Sequence, residues 1–113
     1  MSDDDEDDDD ADIRKLDEDG RLHCEDGPAF ISKAGSSEWW IHGKAHRLDG
    51  PASIISKKDY KFITGKRSKK DFHYYWYVNH VDITKNVDAW TKANKVSWPW
   101  DENTQALFVL TFA

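Results

Sequence analysis

His23-Cys24-Glu25-Asp26-Gly27-Pro28-Ala29 returns 23 residues later as His46-Arg47-Leu48-Asp49-Gly50-Pro51-Ala52. Each copy runs into apolar residues, Phe30-Ile31 after the first and Ile54-Ile55 after the second. A second element recurs too, Trp39-Trp40-Ile41-His42-Gly43 being echoed by Trp76-Tyr77-Val78-Asn79-His80. Self-similarity of this kind marks a repeat architecture. One unit reads as an Asp-Gly-Pro corner, a strand, a polar turn, an aromatic strand and a short turn. In the corner, Asp-Gly supplies a tight turn in which glycine accepts positive φ. Proline then fixes φ at about −65° and gives up an N–H, which starts a strand cleanly.

Outward from the corners, residues 29–32 and 38–42 are expected to pair as a hairpin across the polar stretch 33–37, with Gly43-Lys44 turning into the next copy. In the second unit, residues 52–56 are expected to pair with 60–63 across Lys57-Lys58-Asp59, and residues 72–78 to form one further aromatic strand. Ile83, Val87 and Trp90 then recur at i, i+4 and i+7, which predicts a helix over residues 84–94 with Thr84 as its N-cap candidate. Trp98-Pro99-Trp100 breaks it, Asp101 is placed to cap a short second helix to about Leu107, and residues 108–112 read equally well as a strand. The fold class expected is α+β and β-rich: an antiparallel meander built from tandem hairpin repeats, with one closing C-terminal helix carrying Trp90.

The 113 residues fit one domain. Nine of the 22 acidic residues and none of the 16 bases lie in residues 1–12, so the remainder carries an excess of three positive charges. Such charge density without an apolar face predicts a disordered acidic tail over 1–12, ahead of a single domain over 13–113. Only 38% of residues are hydrophobic, but six are Trp, so the core should be thin and aromatic. Cys24 is the single cysteine and cannot form an internal disulfide. No apolar run approaches the roughly 18 residues that span a membrane, and no secretory pattern opens the chain. The expectation is a soluble cytoplasmic protein without a membrane partner.

Candidate sites follow from residue type. His42-x₃-His46, near Asp49, is a fragment of a zinc pattern, but zinc needs further convergent ligands. His46 is also the repeat equivalent of His23, so these rings read as structural parts of each corner, and no metal or cofactor is expected. No Ser or Cys is marked by a neighbouring base, which argues against an enzyme. Residues 57–71 hold seven bases against Asp59 and Asp71, and Phe72-His73-Tyr74-Tyr75-Trp76-Tyr77 follows directly. Cations beside aromatic rings are what single-stranded nucleic acid binds, phosphates meeting charge and bases stacking on rings. Strand alternation sends Phe72, Tyr74, Trp76 and Val78 to one face and His73, Tyr75 and Tyr77 to the other. Trp39 and Trp40 likewise point to opposite faces, one to fill the core and the other to stand exposed as a binding hot spot. The partner-binding candidates are therefore Trp39 and Trp40, the cations Lys66, Arg67, Lys69 and Lys70, and the rings Tyr75 and Tyr77.

His46, Arg47, Asp49, Gly50, Pro51 and Ala52, the copy at 23–29 and the strand Trp39 to Gly43 together resemble a MORN-like repeat found in small proteins of bacteriophages and large DNA viruses. The resemblance covers about residues 19–90. Cys24 departs from it where Arg is usual, and His80 where Gly is common. It implies a viral scaffold without a catalytic mechanism: a phage-type interaction protein that binds and modulates or inhibits a host protein, one that handles nucleic acid. Three other readings stand beside it: a direct single-stranded nucleic-acid binder through 57–77, a DNA mimic acting through the acidic tail, and a virion component.

Overall fold

The computed structural model describes residues 12–113, so the disorder expected of the acidic tail falls, apart from Asp12, outside the described residues. Among the described residues, short antiparallel strands and three helices make an α+β fold. A five-stranded sheet runs in the order β1 (Ile13–Arg14), β2 (Phe30–Ile31), β3 (Ser37–Glu38), β6 (Ser53–Ser56), β7 (Phe72–Tyr75). Two hairpins stand apart from it, β4 (Trp40–Ile41) with β5 (Lys44–Ala45) and β8 (Tyr77–Val78) with β9 (Val81–Asp82). Both turn through two left-handed residues, His42 and Gly43 at φ 45° and 79°, Asn79 and His80 at 50° and 70°. That is the geometry whose twist matches paired strands.

Backbone hydrogen bonds recur at corresponding positions. The His23 N–H donates to Lys15 O at 2.9 Å, His46 to Trp39 O at 3.1 Å, and Ile83 to Trp76 O at 2.9 Å. Gly43 donates to Leu22 O as His80 does to Ala45 O, both at 2.8 Å. Side chains follow suit: His23 Nδ1 accepts from the His42 amide at 3.0 Å, and His46 Nδ1 from the Asn79 amide at 2.9 Å. Each motif histidine thus satisfies a turn amide of the following hairpin, a donor the left-handed turn leaves without a strand partner.

The corner glycines work differently from expectation. Neither Gly27 nor Gly50 has positive φ. A Cβ on Gly50 would lie 2.7 Å from the Arg47 guanidinium carbon and 2.8 Å from the Trp98 ring, so close approach is what requires glycine there. Arg47 clamps its corner by donating to Asp49 Oδ1 at 2.8 Å and to Pro51 O at 3.0 Å, with its guanidinium 3.8 Å from the Trp39 ring centre. In the first copy the Cys24 thiol reaches only Asp26, at 3.1 Å.

Residues 60–63 are not a strand. They belong to helix α1 (Lys57–Thr64), whose start is capped by Ser56 Oγ accepting from the Asp59 amide and whose end is closed by left-handed Gly65. β6 pairs instead with β7, Ile54 opposite Tyr74 and Ile55 opposite His73. Asp59 Oδ2 fastens α1 to the β2–β3 turn by accepting from Ser32 Oγ at 2.6 Å and Ser36 Oγ at 2.5 Å. Burial raises the pKa of this carboxyl, but the hydroxyls of Ser32, Ser36 and Ser56 outweigh it and hold the group below its ordinary range.

The aromatic strand expected over 72–78 breaks at Trp76, whose N–H is taken by Thr84 Oγ1 at 3.0 Å. Helix α2 (Thr84–Asn94) lies where its periodicity placed it, yet Thr84 is not its cap; Asp82 Oδ1 accepts from the Thr84 amide at 2.9 Å. Helix α3 (Glu102–Phe112), capped by Asp101, absorbs residues 108–112, so the described residues hold three helices rather than one closing helix. α2 and α3 enclose Trp76, Val87 and Phe108, with Trp90, Trp98, Trp100 and Phe112 packed around them. The core is aromatic and thin, as the composition demands.

Candidate functional site

β7 is an edge strand of the sheet, entered from α1 through residues 65–71. Its alternation divides its rings between two environments. His73 faces α1, its ring stacked on Tyr60 at 3.7 Å between centroids and 6° between planes, with Nε2 2.8 Å from Ser68 Oγ. Burial, aided by Lys70, pushes the imidazole pKa down. Tyr75 and Tyr77 share a small pocket on this side with Tyr60 and Ile63, and burial pushes both phenols up. These two tyrosines are therefore half-buried supports of α1.

Phe72 and Tyr74 point the other way and are 41% and 40% exposed. They line an open groove of about 690 Å³ together with Trp76, and with Thr84, Asp88 and Thr91 of α2 and Trp98 of the loop that follows. Spacing of i, i+4 and i+7 puts the three α2 residues on one helical face. The Trp cluster closes over Trp76 alone, which leaves the two earlier rings uncovered. Of the four alternate residues of this stretch, Trp76 and Val78 are buried, while Phe72 and Tyr74 are exposed. These rings were absent from the candidates because alternation reports which residues share a face, not how far the covering helix extends.

Lys70 and Asp71 also line the groove. Lys66, Arg67, Lys69 and Lys70 are all exposed, as are Lys58 and Lys61 on α1. Among the described residues, the one ion pair in this region joins Lys57 to Asp71 at 3.9 Å. The remaining cations have no acidic partner among the described residues. Asp71 and Asp88 make the groove itself unfavourable for phosphate but suitable for N–H donors such as base amino groups. Charge therefore belongs on the rim, and flat neutral rings inside.

Trp39 and Trp40 do not divide into one core and one exposed ring. Both are half-buried, because the chain leaves the five-stranded sheet at Trp39. Trp39 lies under Arg47; Trp40 donates from Nε1 to Glu38 at 3.0 Å and shares a pocket with Tyr77 and His80. His42 stacks on His23 at 3.9 Å and places Nδ1 2.8 Å from Asp17, depressing that carboxyl's pKa, whereas His46 is turned to Asn79. Among the described residues no three His, Cys, Asp or Glu side chains converge as a metal site, and no helix is long and apolar enough to cross a membrane. No family model, curated protein or solved structure matches the chain.

Proposed function

We propose that the chain is a non-enzymatic binding protein whose working surface is the cationic segment 65–71 with the adjoining β7 groove, and whose ligand is single-stranded nucleic acid. The observation that carries this is the exposure of Phe72 and Tyr74 on one side of an edge strand, directly after four exposed cations. Rings accept bases of any sequence by stacking, the cations hold the backbone, and the acids within the groove keep phosphates at the rim. The recurring hydrogen bonds are consistent with a tandem-repeat scaffold, and it is the sequence resemblance that suggests a viral, MORN-like protein acting by stoichiometric binding in a host cytoplasm.

Fluorescence anisotropy with a labelled oligothymidylate tests the reading. Affinity should fall with salt along a log–log slope of about −3 to −4, as expected if roughly five phosphates are neutralised on a single strand. Phe72→Ala and Tyr74→Ala should each weaken binding by about 1–3 kcal/mol at unchanged thermal midpoint. Binding indifferent to both substitutions, or equally tight to duplex, would overturn it. A second reading, the host-protein partner, is favoured by Phe62 and Ile63 on α1, 88% and 66% exposed beside Lys58 and Lys61. An exposed Phe ringed by cations suits an acidic protein surface with an apolar pocket. Phe62→Ala should leave oligothymidylate binding intact and abolish capture of such a partner.

A further inference from the structure

We infer that the cationic face of α1 and residues 65–71 is also the docking site of this chain's own acidic segment, residues 1–12, which occupies it as an intramolecular polyanion. The inference rests on reading that face as polyanion-binding, and three observations carry it. The first is where the segment enters the fold. Asp12 Oδ1 accepts from the Lys33 amide at 2.9 Å, and Asp12 lines a groove with Lys58, Asp59, Phe62 and Ile63 of α1. Asp12, the first described residue, thus lies at the flank of the basic helix.

The second is reach. Eleven residues precede Asp12, and at about 3.3 Å each they span up to roughly 36 Å, while the eight residues of α1 extend only about 12 Å. The third is complementarity. Residues 3–10 are eight consecutive acids without a base, and the exposed cations Lys58, Lys61, Lys66, Arg67, Lys69 and Lys70 have no ion-pair partner among the described residues. Each pair is weak and solvent-screened, but tethering holds the segment at an effective concentration in the millimolar range, where many weak pairs act together. The segment carries no ring to place in the β7 groove, so a ligand offering both phosphates and bases displaces it. The contact acts as a threshold that short or purely ionic competitors fail to cross.

The test compares the full-length chain with a full-length variant in which Asp3, Asp4, Asp5, Asp7, Asp8, Asp9 and Asp10 are changed to Asn and Glu6 to Gln. Backbone amide shifts should differ between the two within residues 57–70 at about 20 mM salt. The differences should vanish near 500 mM, where the Debye length falls to a few ångströms. In a Lys58→Glu, Lys61→Glu background, the same neutralisation should leave those amides almost unmoved. Oligothymidylate should bind the neutralised chain about tenfold tighter at low salt, with the gap closing as salt rises. Shift differences that are absent, lie outside 57–70 or persist at high salt overturn the docking. If neither chain binds the oligonucleotide, the nucleic-acid reading fails while the shifts still decide the docking.

Discussion

His73 is held neutral between two neighbours, and its protonation has a legible consequence. The ring lies flat on Tyr60, and burial with Lys70 nearby lowers its pKa. Well above the ordinary value of about 6.5, the ring is neutral in both folded and unfolded chains and adds no pH dependence. As pH falls through that value the unfolded chain binds a proton that the folded chain still refuses, so stability declines, levelling off below the folded pKa. Urea midpoints at pH 7.5 and 5.5 should show a larger acid loss for the natural chain than for His73→Phe, which keeps the stack without the titration. Neighbouring residues show how far sequence reading reaches. The cations of 65–71 are legible as charge, whereas Tyr74 and Tyr75 differ only by which side of β7 is covered. Choosing between those rings requires knowing that α1 lies on one side and that the Trp cluster stops at Trp76.

At the scale of elements, turns were the most legible part of the chain and α1 the least. Hairpin turns announce themselves by residues tolerating positive φ, and Gly43 is one. Gly43→Ala forces a side chain into the left-handed region and places its Cβ 3.3 Å from Arg21, so it should cost about 1–2 kcal/mol in denaturant unfolding. Gly27→Ala, with ordinary φ and nothing within 4 Å, should be close to neutral. α1 escaped because its eight residues leave a helical period little more than two turns in which to show, and the short run Tyr60 to Ile63 fits a strand as well. Its ends were nevertheless written in sequence: Ser56-x-x-Asp59 is a capping pattern, and Gly65 follows the last turn. Reading Lys57-Lys58-Asp59 as a hairpin turn set its polarity above its capping chemistry. α3 was legible at its start, where Asp101 caps it as expected, but not in its second half, since residues 106–110 are uniformly apolar and show no period.

The molecule as a whole joins a polar, thinly covered sheet to a dense aromatic end. Phe108 is fully buried there, its ring 5.0 Å from Trp100 and from Phe112. Phe108→Ala should cost about 3–5 kcal/mol, a large share of the stability of a domain this size, while Leu110→Ala, 82% exposed, should change little. Thermal unfolding of both variants checks this. The sequence announced an aromatic core but not its location, because Trp76 on the strand side and Phe108 near the C-terminus meet only through the packing of α2 and α3.

That concentration of indoles also determines what light reports about the protein. Trp76, Trp90, Trp98 and Trp100 form a connected set of ring contacts between 5.3 and 6.3 Å, and Trp39 and Trp40 are not in it. Indoles this close exchange excitation before they emit and couple their transitions. Emission from the folded protein should accordingly be depolarised, and its circular dichroism should carry an exciton couplet from the helical end. An unfolding curve followed by that couplet reads the Trp cluster alone, whereas amide absorption reads the sheet as well. Coincident midpoints would mean that the two ends melt as one cooperative unit.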